Sequence, residues 1–229
     1  MTVISANNEC HRLGRGAPIG LLGGTFDPVH HGHLRAALEL LERLGLAEMR
    51  LIPGHVPPHR YAPRASAEQR LQLLRHAVAG VPGLAVDDRE LRRGGYSYTV
   101  DTLYELRAEL GERPLCFVLG SDAFLGLFSW HRWHALGRLT HLVVIRRPGH
   151  ALQFGDELAE WAAPRRVSDP GALHGCSSGL ILFQETTPLA ISASGIRRLI
   201  AQGRSARFLV PDSVWKYIAS KGLYGYPQL

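Results

Sequence analysis

Residues 17–53 read APIGLLGGTFDPVHHGHLRAALELLERLGLAEMRLIP, and the order of patterns within them decides the fold. Residues 17–22 form a short apolar run ending at Gly23-Gly24, and from about His33 leucines recur at helical spacing until Gly45. MRLIP, residues 49–53, is a second apolar run. Strand, loop, helix and strand in that order predict a β-α-β unit with parallel strands and a right-handed crossover.

The same alternation continues along the chain. Residues 66–79 open on Ser66 with Gln69 three positions later, a capping-box arrangement, and carry leucines on one face. LAVDD then reads as a strand, residues 100–110 as a helix, and residues 115–119 and 139–145 as buried strands. Residues 180–183 supply another strand, and residues 194–202 and 211–221 the closing helices. This pattern predicts an α/β fold of the Rossmann-like kind, a doubly wound parallel sheet with helices on both faces. The Pro-rich residues 53–63 and residues 164–178 read as loops, the first long enough to reach a substrate. Residues 1–16 are expected to be a flexible leader, and residues 17–229 a single domain with a small C-terminal helical part.

Composition limits the function classes. Apolar residues make up 45% and charged residues 20%, as in an ordinary folded domain and unlike a disordered chain. The longest apolar stretches are far shorter than the roughly 20 residues that cross a bilayer, and the N-terminus has no basic head followed by an apolar run, so neither a membrane span nor an export signal is expected. Cys10, Cys116 and Cys176 are odd in number and widely spaced, which points to reduced thiols in a cytoplasmic protein. The net charge is +6, and all but Lys216 and Lys221 of the 26 basic residues are arginines, scattered without a polybasic run. A basic balance fits nucleic acid or a membrane surface and equally a site for small polyanionic ligands, and the scatter of the arginines shows no polybasic tract.

In an open parallel sheet the ligand sits beyond the carboxyl ends of the strands. The first such loop, residues 23–33, combines a Gly pair that lets backbone N–H groups approach a phosphate with His30 and His33 flanking Gly32 at a helix start. Ring N–H groups there can donate to phosphoryl oxygens as charge builds up. His30, His31 and His33 lack the Cys or Glu that would complete a zinc set, so no protein-bound metal is expected. Near the other end, residues 191–197 (ISASGIR) set two hydroxyls at a helix start and an arginine one turn in, an ordinary cap if it stood alone.

Together these two stretches resemble the signatures of the nucleotidyltransferase superfamily, whose His-x-Gly-His motif is shared with class I aminoacyl-tRNA synthetases. Residues 57–60 (PPHR), 97–102 (SYTVDT) and 119–122 (LGSD) with Trp130, together with RPG at 147–149 and the ending LVP…V…YI…GLY, resemble the bacterial nicotinate-nucleotide adenylyltransferases. The resemblance runs over residues 18–224, outside the leader and residues 150–178. It implies adenylyl transfer from ATP to nicotinate mononucleotide, with Mg²⁺ delivered by ATP, in a monomer or small homo-oligomer.

By that resemblance His30, His33 and Arg197 are the catalytic candidates. Gly120, Asp122, Arg147, Ile191, Ser192 and Ser194 would hold ATP. Gly24, Thr25, Phe26, His59, Arg60, Thr99 and Trp130 would hold the acceptor, with Trp130 stacked on the nicotinate ring and backbone N–H groups near Thr99 reading its carboxylate. The chain departs from the family pattern at Arg60, His31, Ala193 and Gly195, where Lys, Asn, Ser and a charged residue are usual. Three other readings compete: a superfamily member acting on phosphopantetheine or nicotinamide mononucleotide, an RNA-binding or tRNA-charging protein, and an inactive regulator. The second lacks a Lys-Met-Ser-Lys-Ser loop and a basic, aromatic-interleaved patch. Intact His30, His33 and Arg197 argue against the third.

Overall fold

In the computed structural model, which describes residues 16–56, 62–146 and 155–227, the opening unit takes the expected form. β1 (Ile19–Gly24), α1 (His31–Arg43) and β2 (Glu48–Pro53) follow in order, and β1 and β2 pair in parallel. Gly20 in β1 lies where Met49 and Leu46 press closest, since a β-carbon there would fall 2.6 Å from the Met49 methyl. α2 (Ala67–Val78) starts on the predicted capping box: Ser66 Oγ accepts from Gln69 N at 3.2 Å and Gln69 Oε1 accepts from Ser66 N at 2.8 Å. Then come β3 (Leu84–Val86), α3 (Arg89–Arg93), α4 (Thr99–Leu110), β4 (Leu115–Gly120), α5 (Ser121–Leu125), α6 (Leu136–Leu139) and β5 (His141–Arg146). The chain continues with α7 (Asp156–Ala162), β6 (Arg166–Val167), β7 (Ile181–Glu185), α8 (Ala193–Ala201) and α9 (Asp212–Ser220).

The seven strands form one sheet in the order β3-β2-β1-β4-β5-β7-β6, every neighbouring pair parallel. The winding reverses between β1 and β4, so their carboxyl ends diverge into loops that leave a crevice. Strand alternation divides the core in two. Cys116 and Val118 of β4 join α1, α2, α8 and α9 in one buried cluster, while Leu115, Phe117 and Leu119 join α4, α5, α6 and α7 in the other. The C-terminal helices therefore pack into the same core as α1 and α2.

Sequence and structure part in a few places. Leu139 closes α6 and β5 begins only at His141, because Leu139 packs with the α4–α6 layer whereas Thr140 turns its hydroxyl to the Leu115 carbonyl at 2.9 Å. The stretch read as a loop over residues 164–178 carries β6 on the outer edge of β7 and a short 3-10 helix, Pro170–His174, whose Leu173 is fully buried. Short elements of this kind have too few residues to show a period.

His141 is locked into the interior at the start of β5, accepting at Nδ1 from Leu180 N (3.1 Å) and facing the Cys176 carbonyl with Nε2 (2.9 Å). Nδ1 must therefore be bare and Nε2 protonated, a neutral ring. Burial lowers its pKa to about 4, against 6.5 in an unfolded chain, so the unfolded state takes up a proton first as the pH falls. Stability from this group is complete above the unfolded value and is lost between pH 6.5 and 4. Urea unfolding at pH 7 and pH 5 should show that His141→Gln shrinks the acid-induced loss by about 2 kcal/mol relative to wild type. Equal losses in the two proteins would remove His141 from the account.

Candidate active site

The crevice at the carboxyl ends of β1, β4 and β5 opens into a cleft of about 1440 Å³. Gly24, Thr25, Phe26, His30 and His33 form one wall, from the loop after β1 and the start of α1. Ile191, Ser192, Ser194 and Arg197 face them from the start of α8, and Gly120 lies at the end of β4. The structure thus gathers in one place groups that are up to 173 positions apart in sequence. Both α1 and α8 present their N-termini here, where unpaired N–H groups and the helix dipole favour an anion.

The two histidines are held differently. His30 is buried, its ring stacked on His33 with centroids 3.7 Å apart, and burial, helped by the charge of His31, lowers its pKa to about 4. It is a neutral imidazole at physiological pH. Gly32 makes this placement possible, since a β-carbon there would sit 3.0 Å from His30 Nδ1. His33 Nδ1 accepts from His30 N at 3.3 Å, and its ring meets the edge of Phe26 at 5.0 Å. With Nδ1 acting as acceptor, the ring proton resides on Nε2.

Opposite, Ser192 caps α8 by accepting from Gly195 N at 3.1 Å, and its hydroxyl lies 3.3 Å from that of Ser194. A β-carbon on Gly195 would come within 3.0 Å of the capping oxygen, so the unusual glycine leaves room for the cap. Arg197 Nη1 donates to the Asp27 carbonyl at 2.5 Å and lies 3.7 Å from Asp27 Oδ2, which orients the guanidinium before any ligand arrives.

Asp27 is the residue that sequence reasoning quoted without assigning a task. Its buried carboxylate accepts from Arg64 N (2.8 Å), Ala65 N (3.1 Å) and the Tyr224 hydroxyl (2.8 Å). Glu39, buried on α1, likewise accepts from Thr187 N at 3.0 Å and pairs with Arg35 and Arg43, holding the strap over residues 186–191 that edges the cleft. Burial alone would raise the Glu39 pKa, but the Thr187 hydrogen bonds and Arg35 hold it at about 2. Arg146, the last residue of β5, also lines the cleft and pairs with Glu185 at 3.4 Å. The sequence pointed one position further on, to Arg147.

Of the remaining expected residues, three are described and lie outside the cleft lining. Asp122 is in the first turn of α5, beside Gly120 but outside the cleft lining. Thr99 is the first residue of α4, and Trp130 is half-buried with its ring edge-on to Phe117 at 6.0 Å. Neither lines the cleft, although Phe117 lies close behind Gly23 of β1. The turn before α4 is tied to the end of β2: His55 N donates to Ser97 Oγ at 2.7 Å and Ser97 N to the Val56 carbonyl at 3.0 Å. His59, Arg60 and Arg147 fall outside the described residues. Among those described, no three His, Cys, Asp or Glu side chains gather as metal ligands, and no helix is long and apolar enough to cross a membrane.

Removing the Tyr224 hydroxyl should expose how much the Asp27 hub matters. Tyr224→Phe leaves a buried carboxylate one donor short and is expected to cost about 2 kcal/mol in urea unfolding. A loss below about 0.5 kcal/mol, the usual scatter of neutral surface changes, would show the bond to be dispensable.

Comparison with known proteins agrees with this geometry. The cytidylyltransferase-like family model matches residues 21–199. A curated relative from Halorhodospira halophila, named "Probable nicotinate-nucleotide adenylyltransferase", is 54% identical over 92% of this chain and 97% of its own length. One of the same name from Pseudomonas entomophila is 55% identical over 90% of this chain and 94% of its own. Among solved structures, the Plasmodium falciparum nicotinic acid mononucleotide adenylyltransferase complexed with NaAD superposes with a TM-score of 0.71 at 15% identity. That match covers 93% of this chain and 100% of the other, and is a likeness of fold. With half its residues shared across nine-tenths of its length, the chain belongs to the nicotinate-nucleotide adenylyltransferase family and is a nucleotidyltransferase.

Proposed function

We propose that this enzyme joins the AMP part of ATP to nicotinate mononucleotide, giving nicotinate adenine dinucleotide and pyrophosphate, and that the cleft between α1 and α8 is where the transfer occurs. The observation that carries the reading is the facing of a His30/His33 wall with a Ser192/Ser194/Arg197 wall across one cleft. A phosphate oxygen of the acceptor attacks the α-phosphorus, forming one P–O bond while the bond to the bridging oxygen breaks and pyrophosphate leaves. No proton has to move, because the attacking phosphate is already ionised.

The chain's own groups then have two tasks, alignment and charge neutralisation. His33 Nε2–H donates to the α-phosphoryl oxygens as charge builds there. Neutral His30 backs that ring by stacking, and fixes it through its backbone N–H. Ser192, Ser194, Arg197 and the α8 N-terminus hold the β- and γ-phosphates. Mg²⁺, arriving as part of Mg-ATP, offsets charge on the departing pyrophosphate and needs no protein carboxylate. On the acceptor side, the N–H groups at the start of α4, near Thr99, suit a ring carboxylate better than an amide, and Trp130 supplies the flat apolar surface.

Two measurements test this. Pyrophosphate release from Mg-ATP with nicotinate mononucleotide, nicotinamide mononucleotide or phosphopantetheine in competition should favour the nicotinate acid in kcat/KM, and preference for either rival would overturn the acceptor assignment. His33→Ala should lower kcat roughly 100-fold or more, the usual cost of losing one transition-state donor. Turnover within a few-fold of wild type would remove His33 from the chemistry.

A further inference from the structure

We infer that Arg70 is a positioning residue that holds the loop after β1, which carries the His30/His33 wall, and the loop after β2 at a fixed separation; the inference rests on the adenylyl-transfer reading. Arg70 stands on α2 and is 1% exposed. Its Nη1 donates to the Thr25 carbonyl at 2.9 Å and the Gly54 carbonyl at 2.6 Å, and its Nη2 to the His55 carbonyl at 3.2 Å.

Those carbonyls belong to two different loops. Thr25 follows β1 and lines the cleft with His30 and His33. Gly54 and His55 follow β2, and His55 is bound in turn to Ser97 and Gly95, just before the start of α4. β1 and β2 stay in register as far as Gly24 and Pro53, and Gly54 N still reaches the Gly24 carbonyl at 2.9 Å. Beyond that rung the strands part, one toward the His30/His33 wall and the other toward the turn before α4, and the Arg70 fork spans the gap.

A guanidinium suits this task because its donors lie in one rigid plane, whereas an ammonium is a point charge on a flexible stem. The arrangement is costly for a buried cation. Nε has no hydrogen-bond partner among the described residues, and the opposing charge comes through space from Asp27. A group kept only for packing would be better served by an apolar side chain of similar volume. In-line transfer gives the cation a use, since a displacement of about 1 Å between reacting groups can cost on the order of 100-fold in rate.

The test is Arg70→Lys, with Arg70→Met as the second variant should the first fail to fold. Calorimetry would measure affinity for Mg-ATP, for nicotinate mononucleotide and for nicotinate adenine dinucleotide, whose two halves occupy both subsites at once. The expected result is single-substrate affinities and KM values within about threefold of wild type, with dinucleotide affinity and kcat each down about tenfold or more. Product affinity and kcat within threefold of wild type would overturn the inference, as would a parallel fall of all three affinities with Tm, the mark of a purely structural role. Amide hydrogen exchange gives a readout that needs no ligand: residues 25–27 and 54–56 should exchange faster together in the variant, and unchanged exchange would refute the tie. Wild-type protein that binds ATP but not nicotinate mononucleotide would count against the adenylyl-transfer reading instead, and the exchange result would still decide the role of Arg70.

Discussion

One buried carboxylate, that of Asp27, joins four stretches of chain. The loop after β1 carries it, residues 64–65 donate to it through backbone N–H groups, α8 reaches it through Arg197, and the C-terminus through Tyr224. A carboxylate this far from water is costly unless its oxygens are satisfied and its charge opposed. Here donors come from the protein on several sides, with Arg197 and Arg70 nearby in charge. The consequence for function is indirect but strong. Asp27 is occupied by protein donors, so it would add little repulsion to a cleft that holds phosphates, and it ties the start of α8 to the loop that leads into α1.

Around that hub the described lining of the cleft combines neutral donors with three arginines, Arg64, Arg146 and Arg197. Burial keeps His30 uncharged, the geometry of His33 leaves its proton on Nε2, and the two helix starts add partial charges of the backbone. Arg197 is a full charge, partly compensated by Asp27, and Arg146 is another at the rim, paired with Glu185. For a displacement at phosphorus this is a sensible balance. The total charge of the substrates does not change during transfer, only its distribution, so fixed dipoles aimed at the reacting oxygens do more than an excess of mobile cations that would also retain pyrophosphate.

Much of the fold was legible from residues. The β1-α1-β2 unit could be read because apolar runs and the leucine stripe have the right periods, and α2 because Ser66 and Gln69 stand three apart. α3 escaped because five residues rich in arginine and glutamate carry no apolar period, and β6 because two residues cannot show one. The two walls of the cleft were legible for a different reason: their groups lie in two contiguous motifs, residues 23–33 and 191–197. The contacts that hold those motifs together were not. Asp27 meets Arg197 across 170 positions and Tyr224 across 197, and Arg70 meets Thr25 across 45. No local spacing marks such pairs, and an arginine among leucines in α2 reads as a solvated position until the backbone folds three carbonyls around it.

The two sides of the reaction also differ in how they are secured. The donor wall is tied to Asp27 and to the helix starts by direct hydrogen bonds. The region of Thr99 and Trp130, proposed to hold the acceptor, is linked to that wall through His55, Ser97 and the Arg70 fork on one flank, and through Trp130, Phe117 and Gly23 packing on the other. An enzyme that must distinguish a ring carboxylate from an amide gains little from more phosphate binding, because both acceptors carry the same phosphate. On the proposed reading, discrimination would come from backbone donors at the start of α4 held rigidly enough that an amide NH₂ meets an N–H and finds no acceptor. That turn is held by residues far from it, so on the proposed reading acceptor choice would depend as much on the supports of the turn before α4 as on the groups that touch the ligand.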